Sequence, residues 1–219
     1  MPRTIAVKGE GRITAKPDYI VLTLSAETKN ENYAAAVEKA AEEANAVSGA
    51  VIGSGFGQDE LKTTNWSVRT EYESYRDADG NYRQRFAGYV VNMGFKLSFK
   101  IDLERLSRVL EALTASGSTA EMNVRFTMED PEALRRSVLE AAAEDARRKA
   151  EILAEASGVK LAKLLTIEYN WHNNVVQSET VMAADNAVMP RLAKAAFGAS
   201  VTPDDIVLTD SAGYVWEIE

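Results

Sequence analysis

Two different periods of apolar residues run through the first third of the chain. Residues 5–11 begin with an alternating pattern and end in turn-forming residues, and residues 19–26 alternate again, which predicts two strands. Gly9-Glu10-Gly11 and Pro17-Asp18 lie between the two alternating patterns, so we expect an antiparallel pair with the glycines at its corner. From Asn30 the spacing changes to alternating fours and threes, which predicts a helix capped by Asn30 or Asn32 and ended by Gly53-Ser54-Gly55. Its predicted inner stripe is Tyr33, Val37, Ala40, Ala44, Val47 and Val51.

Residues 61–75 and 82–101 are rich in β-branched and aromatic side chains. The segment RDADGNY separates them, and its Asp-Gly pair is typical of a hairpin turn. The sequence therefore predicts a hairpin with long arms and a polar tip that projects into solvent.

Two further helices follow. Asp102 caps a predicted helix that Gly117 ends, and Asp130-Pro131 begins a longer one that Gly158 ends. The inner stripe of the longer helix has small residues at its centre, so another element can approach its backbone closely. This stripe comprises Leu134, Val138, Ala142, Ala146, Ala150 and Leu153.

The remaining segments are predicted as strands or as irregular chain. Residues 121–128 and 161–170 alternate as strands, and residues 201–219 form a long closing strand that Asp210-Ser211 and Gly213 interrupt. Residues 171–199 show little pattern except a weak helical patch at 191–197.

The order of these elements predicts an α+β fold, with mainly antiparallel sheets and helices packed on one face. A strand-helix-strand-strand unit occurs twice, over residues 19–101 and 121–219. We expect one domain over residues 1–219, or two intertwined lobes, 1–101 and 121–219, joined by the helix at 102–116.

The amino-acid composition excludes several classes of function. The chain has 33 acidic and 25 basic residues and a net charge of −8, which argues against a nucleic-acid partner. It has no cysteine and one histidine, His172, so thiolate chemistry and multi-histidine metal cages are excluded. No apolar run is long enough to span a membrane. As written, the chain begins without a secretory signal, which predicts a cytoplasmic protein, or one of the periplasm or cell envelope if a signal was removed.

Three short motifs partly match known ligand-binding or catalytic motifs, but each lacks a required feature. Gly9-Glu10-Gly11 is not followed by a helix, as a phosphate loop requires. DADGNYRQRFAG has its glycine at the fourth position and no terminal glutamate, unlike a calcium-binding loop. GSGFG follows a helix, whereas a nucleophile elbow follows a strand. The sequence therefore predicts no catalytic, cofactor-binding or metal-binding residues, and no enzyme.

Strand edges are the more informative feature. The closing strand and the long hairpin exceed what one chain of this size can pair internally, so we expect a homo-oligomer joined through them. The predicted contact residues are Tyr72, Tyr75, Arg76, Tyr82, Arg83, Arg85, Tyr214 and Trp216. The alternative is a small-molecule-binding or hydrolytic protein with a pocket near Trp171–Met189, lined by Trp171, His172 and Asn173.

Several segments, taken in order, resemble the SIMPL domain family over nearly the whole chain. They include VKGEGRITAKPD, ELKTTNWSVRTEYESY, FAGYVVNMGFKLSFKIDLERLSRVLEALTASGS and SVTPDDIVLTDSAGYVWEIE. The resemblance implies a non-enzymatic protein that self-associates or binds protein partners. It also implies relatives in the bacterial periplasm or envelope, some immunogenic or linked to oxidative-stress defence, and an animal relative that is a signalling adaptor. It supplies no catalytic residues.

Overall fold

A computed structural model describes residues 3–170, 175–184 and 202–219 and confirms the α+β class. In this part of the chain, three helices accompany eight strands in two antiparallel sheets. The elements are β1 Thr4–Ala15, β2 Tyr19–Asn30, α1 Tyr33–Gly53, β3 Leu61–Arg76, β4 Tyr82–Lys100, α2 Leu103–Ala115, β5 Glu121–Thr127, α3 Pro131–Ala156, β6 Leu161–Glu168, β7 Gln177–Ala184 and β8 Ile206–Ile218.

Predicted capping residues begin all three of these helices. The side chains of Asn32, Asp102 and Asp130 each accept a hydrogen bond from the backbone N–H three residues later. Gly117 and Gly158, just beyond α2 and α3, have φ of +74° and +69°, the left-handed conformation in which helices commonly end.

One compact unit, the five-stranded unit, comprises Tyr19–Phe126 and Thr180–Thr202. Its sheet has the order β3-β4-β2-β5-β7, and α1 and α2 contribute to its core. Alternate residues of β2 and β4 point into that core, which leaves the intervening residues on the opposite, open face. The core includes Ile20, Leu22, Leu24, Phe95, Leu97, Leu106, Leu110 and Phe126.

The other compact unit, the three-stranded unit, comprises Met1–Asp18, Thr127–Glu179 and Pro203–Glu219. Its sheet has the order β1-β8-β6, with β1 paired to β8 along its full length. The expected pairing of the first two strands is therefore wrong, because β1 and β2 belong to different sheets. The residue ranges of these two units also differ from those of the expected lobes, 1–101 and 121–219. Both chain ends belong to the three-stranded unit, and α2 belongs to the five-stranded unit.

The expected corner at Gly9-Glu10-Gly11 is wrong as well, because β1 continues straight through it. A Cβ atom on Gly9 would lie 2.0 Å from the Ala142 carbonyl oxygen, and one on Gly11 would lie 2.0 Å from that of Val138. The glycines are therefore the place where the backbone of α3 crosses the strand. This confirms the close approach that the small residues at the centre of α3 predicted.

Three other expectations fail for tertiary reasons. Strand β8 is uninterrupted, because Asp210 and Ser211 remain in register with Gly11 and Glu10 of β1. Its second part, from Gly213 to Ile218, also pairs with β6. Strand β7 was not predicted at all. At the end of α3, Ala154 is buried and Leu153 is exposed. The helical patch expected at residues 191–197 lies outside the described residues.

Candidate functional site: the exposed hairpin arm

The long hairpin extends beyond the strand that supports it. Pairing between β2 and β4 ends at Asn30 and Tyr89, whereas β3 and β4 remain paired as far as Arg76 and Tyr82. Residues 72–86 therefore form a two-stranded projection, here called the hairpin arm. Two-stranded ribbons are marginal by themselves, so the arm depends on its own cross-strand contacts or on a partner.

A bulge fixes the base of the arm. The register shifts between Glu71 and Tyr72, which leaves Ala87 without an opposite residue. Next to it, Gly88 has φ of +135°, and a Cβ atom there would lie 2.8 Å from the Asn30 carbonyl oxygen. Only glycine meets both conditions without strain.

One face of the arm is aromatic. Tyr72 lies opposite Phe86 with ring centroids 6.1 Å apart, and Phe86 in turn contacts Tyr89 at 5.2 Å. Near the tip, the Arg76 guanidinium lies 4.7 Å from the centre of the Tyr82 ring and donates a hydrogen bond to its hydroxyl. Tyr72, Phe86 and Tyr82 are 56%, 44% and 74% exposed, so this apolar surface has no cover within the described residues.

The other face of the arm and its tip are charged. Arg85 pairs with Glu73 at 2.9 Å. At the turn, Asp77 accepts hydrogen bonds from the Arg83 side chain at 2.8 Å and from the backbone N–H groups of Asn81 and Asp79. The Arg83 contact first, and then these N–H groups, lower the pKa of the Asp77 carboxyl. The arm is thus an ordered projection with two chemically different faces.

The structure separates the predicted contact residues into two groups. Six of them share the arm: Tyr72, Tyr75, Arg76, Tyr82, Arg83 and Arg85. Tyr214 and Trp216 instead lie in β8, the central strand, where they stack on each other and are only 8% and 7% exposed. The free edge expected for the closing strand is therefore wrong. The predicted pocket residues Trp171, His172 and Asn173 lie outside the described residues.

Phe86 belongs to the arm but is not among the predicted contact residues. It lies outside the group of charged residues around the tip, and only the register of the hairpin shows that it faces Tyr72. Counting outward from a two-residue Asp79-Gly80 turn would pair Tyr72 with Ala87, because residues 77–81 all lie in the loop and shift the register by one.

A second exposed apolar surface borders β6, which is an end strand of its sheet. Leu164, Leu165 and Ile167 are all exposed on this strand. A groove of about 530 Å³ runs between β6 and α3, with Tyr214 and Trp216 in its lining. A bulged strand with a lysine, Lys163, is typical of an edge protected from indiscriminate pairing.

The opposite edge of the same sheet, β1, is closed by side chains of α3. Asp145 accepts a hydrogen bond from the Glu10 N–H at 2.8 Å, and Lys149 donates one to the Lys8 carbonyl at 3.1 Å. Asp145 and Lys149 also pair at 2.7 Å. Lys149 first, and then the Glu10 N–H, lower the pKa of Asp145, which makes it a poor general base near neutral pH.

A depression of about 600 Å³ beside this edge contains Asp210 among its lining residues. Asp210 accepts a hydrogen bond from the Tyr169 hydroxyl at 2.9 Å. Burial, and then this bond, raise the pKa of Tyr169. The carboxylates of Asp145 and Asp210 thus make structural hydrogen bonds, to the backbone of β1 and to Tyr169 after β6, and are not arranged as an acid–base pair.

Within residues 3–170, 175–184 and 202–219, no three histidine or acidic side chains are grouped as metal ligands. In the same residues, no helix has the length and apolar character needed to cross a membrane.

Comparison with known proteins decides the family. The model of the SIMPL family, described as a protein of unknown function (DUF541), matches residues 5–216. The chain belongs to the SIMPL family. Two similar proteins, each named 26 kDa periplasmic immunogenic protein, come from Brucella melitensis biotype 1 and Brucella abortus strain S19. Each is 26% identical over 167 residues, which cover 76% of this chain and 66% of the relative, just under two thirds of its length.

Proposed function

We propose that this SIMPL protein is a non-enzymatic, self-associating protein that uses the hairpin arm as its main contact surface. The observation that carries the proposal is the aromatic face of Tyr72, Phe86 and Tyr82, which projects beyond β2 and is 44–74% exposed. Exposed tyrosine and phenylalanine on an ordered projection are typical of interface anchors.

The electrostatics of the arm support the same proposal. Its charged residues are already paired with one another, as in Arg85–Glu73 and Arg83–Asp77. A second copy that covers the arm would therefore bury few charges without a partner. A second exposed apolar surface, at β6, gives each copy another candidate contact.

Native mass and light scattering test the proposal directly. We expect the wild-type protein to be a discrete oligomer at micromolar concentration. A triple variant, Tyr72→Ser, Phe86→Ser and Tyr82→Ser, is expected to shift the mass to that of the monomer while the circular dichroism spectrum stays unchanged.

A matched control removes exposed apolar side chains elsewhere. Ile152→Ser with Leu153→Ser changes two exposed positions on α3 and is expected to leave the mass unaltered. A strictly monomeric wild-type protein, or an arm variant that keeps the oligomeric mass, would overturn the proposal.

The absence of cysteine allows a positional test of the contact. Ser74→Cys places a thiol on the arm, and Ser157→Cys places one just after α3. A bifunctional thiol reagent is expected to link copies through position 74 much faster than through position 157. Equal rates would argue against the arm.

The names of the Brucella relatives lead us to include the periplasm in the proposal. The resemblance to the SIMPL family leads us to add the cell envelope as a location and a role in envelope or oxidative-stress response. Fractionation of cells that express the native gene tests the location, and peroxide sensitivity of a deletion strain tests the role. The alternative pocket near Trp171–Met189 stays a prediction, because its expected lining residues Trp171, His172 and Asn173 lie outside the described residues. A thermal-shift ligand screen tests it.

A further inference from the structure

The open face of the five-stranded sheet carries its charges unevenly. Towards the hairpin arm, cations and carboxylates are paired across strands. Arg69 lies 3.2 Å from Glu27, and Lys29 pairs with Glu71. Such cross-strand pairs of opposite charge are the ordinary arrangement on a solvated sheet.

Further along the same strands, two charges of the same sign lie opposite each other. Lys62 of β3 lies directly opposite Lys96 of β4, and Lys96 lies opposite Thr23 of β2. Side chains in opposite positions are about 5 Å apart at Cβ, a distance at which like charges destabilise a sheet. In the described part of this acidic chain, no carboxylate pairs with either lysine. Two lysines placed face to face without a counter-charge favour a bound anion.

The next row of the sheet forms a depression beside this lysine pair. A bulge between Thr63 and Asn65 leaves Thr64 as the extra residue. Its hydroxyl oxygen would be 2.7 Å from a Cβ atom on Gly94, so the hydroxyl lies over the glycine. Because Gly94 has no side chain, the space above it stays empty. The bulge places the Thr64 hydroxyl at the edge of this depression.

The depression has a volume of about 610 Å³, and its lining is rich in hydrogen-bond donors. The polar side chains that line it are Thr23, Ser25, Thr64, Asn123, Arg125 and Glu121. Arg125 is held by a hydrogen bond to Asn123 at 3.2 Å. Glu121 is the carboxylate in this lining, against the cations Arg125, Lys62 and Lys96.

We propose that this depression and the adjacent Lys62–Lys96 pair, together called the anion site, bind a small ligand that carries a phosphate or carboxylate group. Hydroxyl and guanidinium groups donate to oxyanion oxygens, and the lysines supply the charge. The site has one cation in the lining of the depression, Arg125, and two beside it, Lys62 and Lys96, rather than a long basic stripe. It therefore fits a small anion and not a nucleic-acid backbone. The proposal does not depend on self-association.

Calorimetric and NMR titrations at constant ionic strength test this proposal. The probes are inorganic phosphate, citrate and glucose 6-phosphate, with glucose as the neutral control. We expect saturable binding of at least one anion, with shifts at the amides of Ser25, Thr64 and Gly94, and no binding of glucose. Phosphate and glucose 6-phosphate without citrate would identify a phosphate site, and citrate without them a carboxylate site.

Two matched double variants separate the site from a general effect of charge. Lys62→Met with Lys96→Met is expected to weaken binding about tenfold or more, since each charge-assisted contact contributes strongly. Lys39→Met with Arg108→Met removes the same charge from exposed positions on α1 and α2 and is expected to leave binding unchanged. Thr64→Val keeps the side-chain shape and tests the hydroxyl.

Stability gives an independent readout. Because Lys62 and Lys96 repel each other without a ligand, their double variant is expected to melt no lower than the wild-type protein. Binding of none of the three anions, or an equal loss in both double variants, would overturn the proposal.

Discussion

Two stretches of strand contrast sharply. Where β1 crosses α3, Gly9 and Gly11 have no side chains and are buried, whereas the hairpin arm carries large aromatic side chains that are exposed. At the first site a helix backbone occupies the space that a Cβ atom would need. At the second site the supporting strand β2 has already ended.

Burial of a residue in this chain therefore depends on which segment packs against it rather than on how apolar the residue is. Glycine is buried in β1 because another backbone comes close, and tyrosine is exposed in the arm because nothing in the described residues covers it. Substitutions on both sides of this contrast are expected to differ in their effect on stability.

The largest effect is expected for Gly9→Ala. Its Cβ atom would lie 2.0 Å from the Ala142 carbonyl oxygen, which is backbone and cannot rotate away. We expect a loss of about 3 kcal/mol in the free energy of unfolding, measured by urea denaturation. The same change at Gly49, where nothing lies within 4 Å, is expected to be neutral or to stabilise α1 by about 0.5–1 kcal/mol. Similar losses at both positions would refute the close crossing.

Asp145→Ala is expected to cost about 1 kcal/mol, because it removes the acceptor for the Glu10 N–H and the partner of Lys149. Glu144→Ala, one residue earlier on the same helix, is the control and should cost less. The pKa of Asp145 is lowered in the folded state, so its contribution is present above the ordinary pKa of aspartate. It is lost as pH falls through the lowered value. The difference between wild type and variant should therefore shrink in acid, and a constant difference would contradict this account.

The arm should tolerate the loss of its aromatic side chains. Tyr82→Ser is expected to change the free energy of unfolding by less than about 0.5 kcal/mol, as is usual for exposed positions. The measurement belongs at a protein concentration low enough to keep the chain monomeric, since association would add its own stabilisation. A large loss in the monomer would show that the arm packs against its own chain.

The smallest effect is local to the tip of the arm. The folded-state pKa of Asp77 is lowered by Arg83 and by the Asn81 and Asp79 N–H groups, so these contacts persist until pH falls through that lowered pKa. Hydrogen exchange at the Asp79 and Asn81 amides should then accelerate, beyond the intrinsic change with pH. The Gly80 amide bonds the Asp77 backbone carbonyl and serves as an internal control. Asp77→Asn should remove the acid-dependent step, and its persistence in that variant would point to another group.

Local chemistry was enough to predict much of the fold. The caps Asn32, Asp102 and Asp130, the terminating glycines and the Asp-Gly turn each act through residues a few positions away, and all appear where the pattern placed them. Six of the arm residues followed from the same hairpin logic. Strand β7 was missed because its alternation is weak and its place depends on a neighbour distant in sequence.

Non-local pairing accounts for the errors. Tyr214 and Trp216 looked like an exposed closing strand, but β1 and β6 flank that strand on both sides. The anion site was invisible for the same reason, since Lys62 and Lys96 are far apart in sequence and meet only through the register of β3 and β4.

Local patterns along the chain specify the helices, the long hairpin, the absence of cysteine chemistry and the small residues that let a backbone approach α3. Contacts between distant segments specify that this backbone belongs to β1, that both chain ends share one sheet, and which aromatic side chains of the described residues remain exposed. The two kinds of information differ in how far along the chain they act. Capping, turns and periodicity depend on residues within a few positions, whereas strand partners and burial depend on segments brought together from opposite ends of the chain.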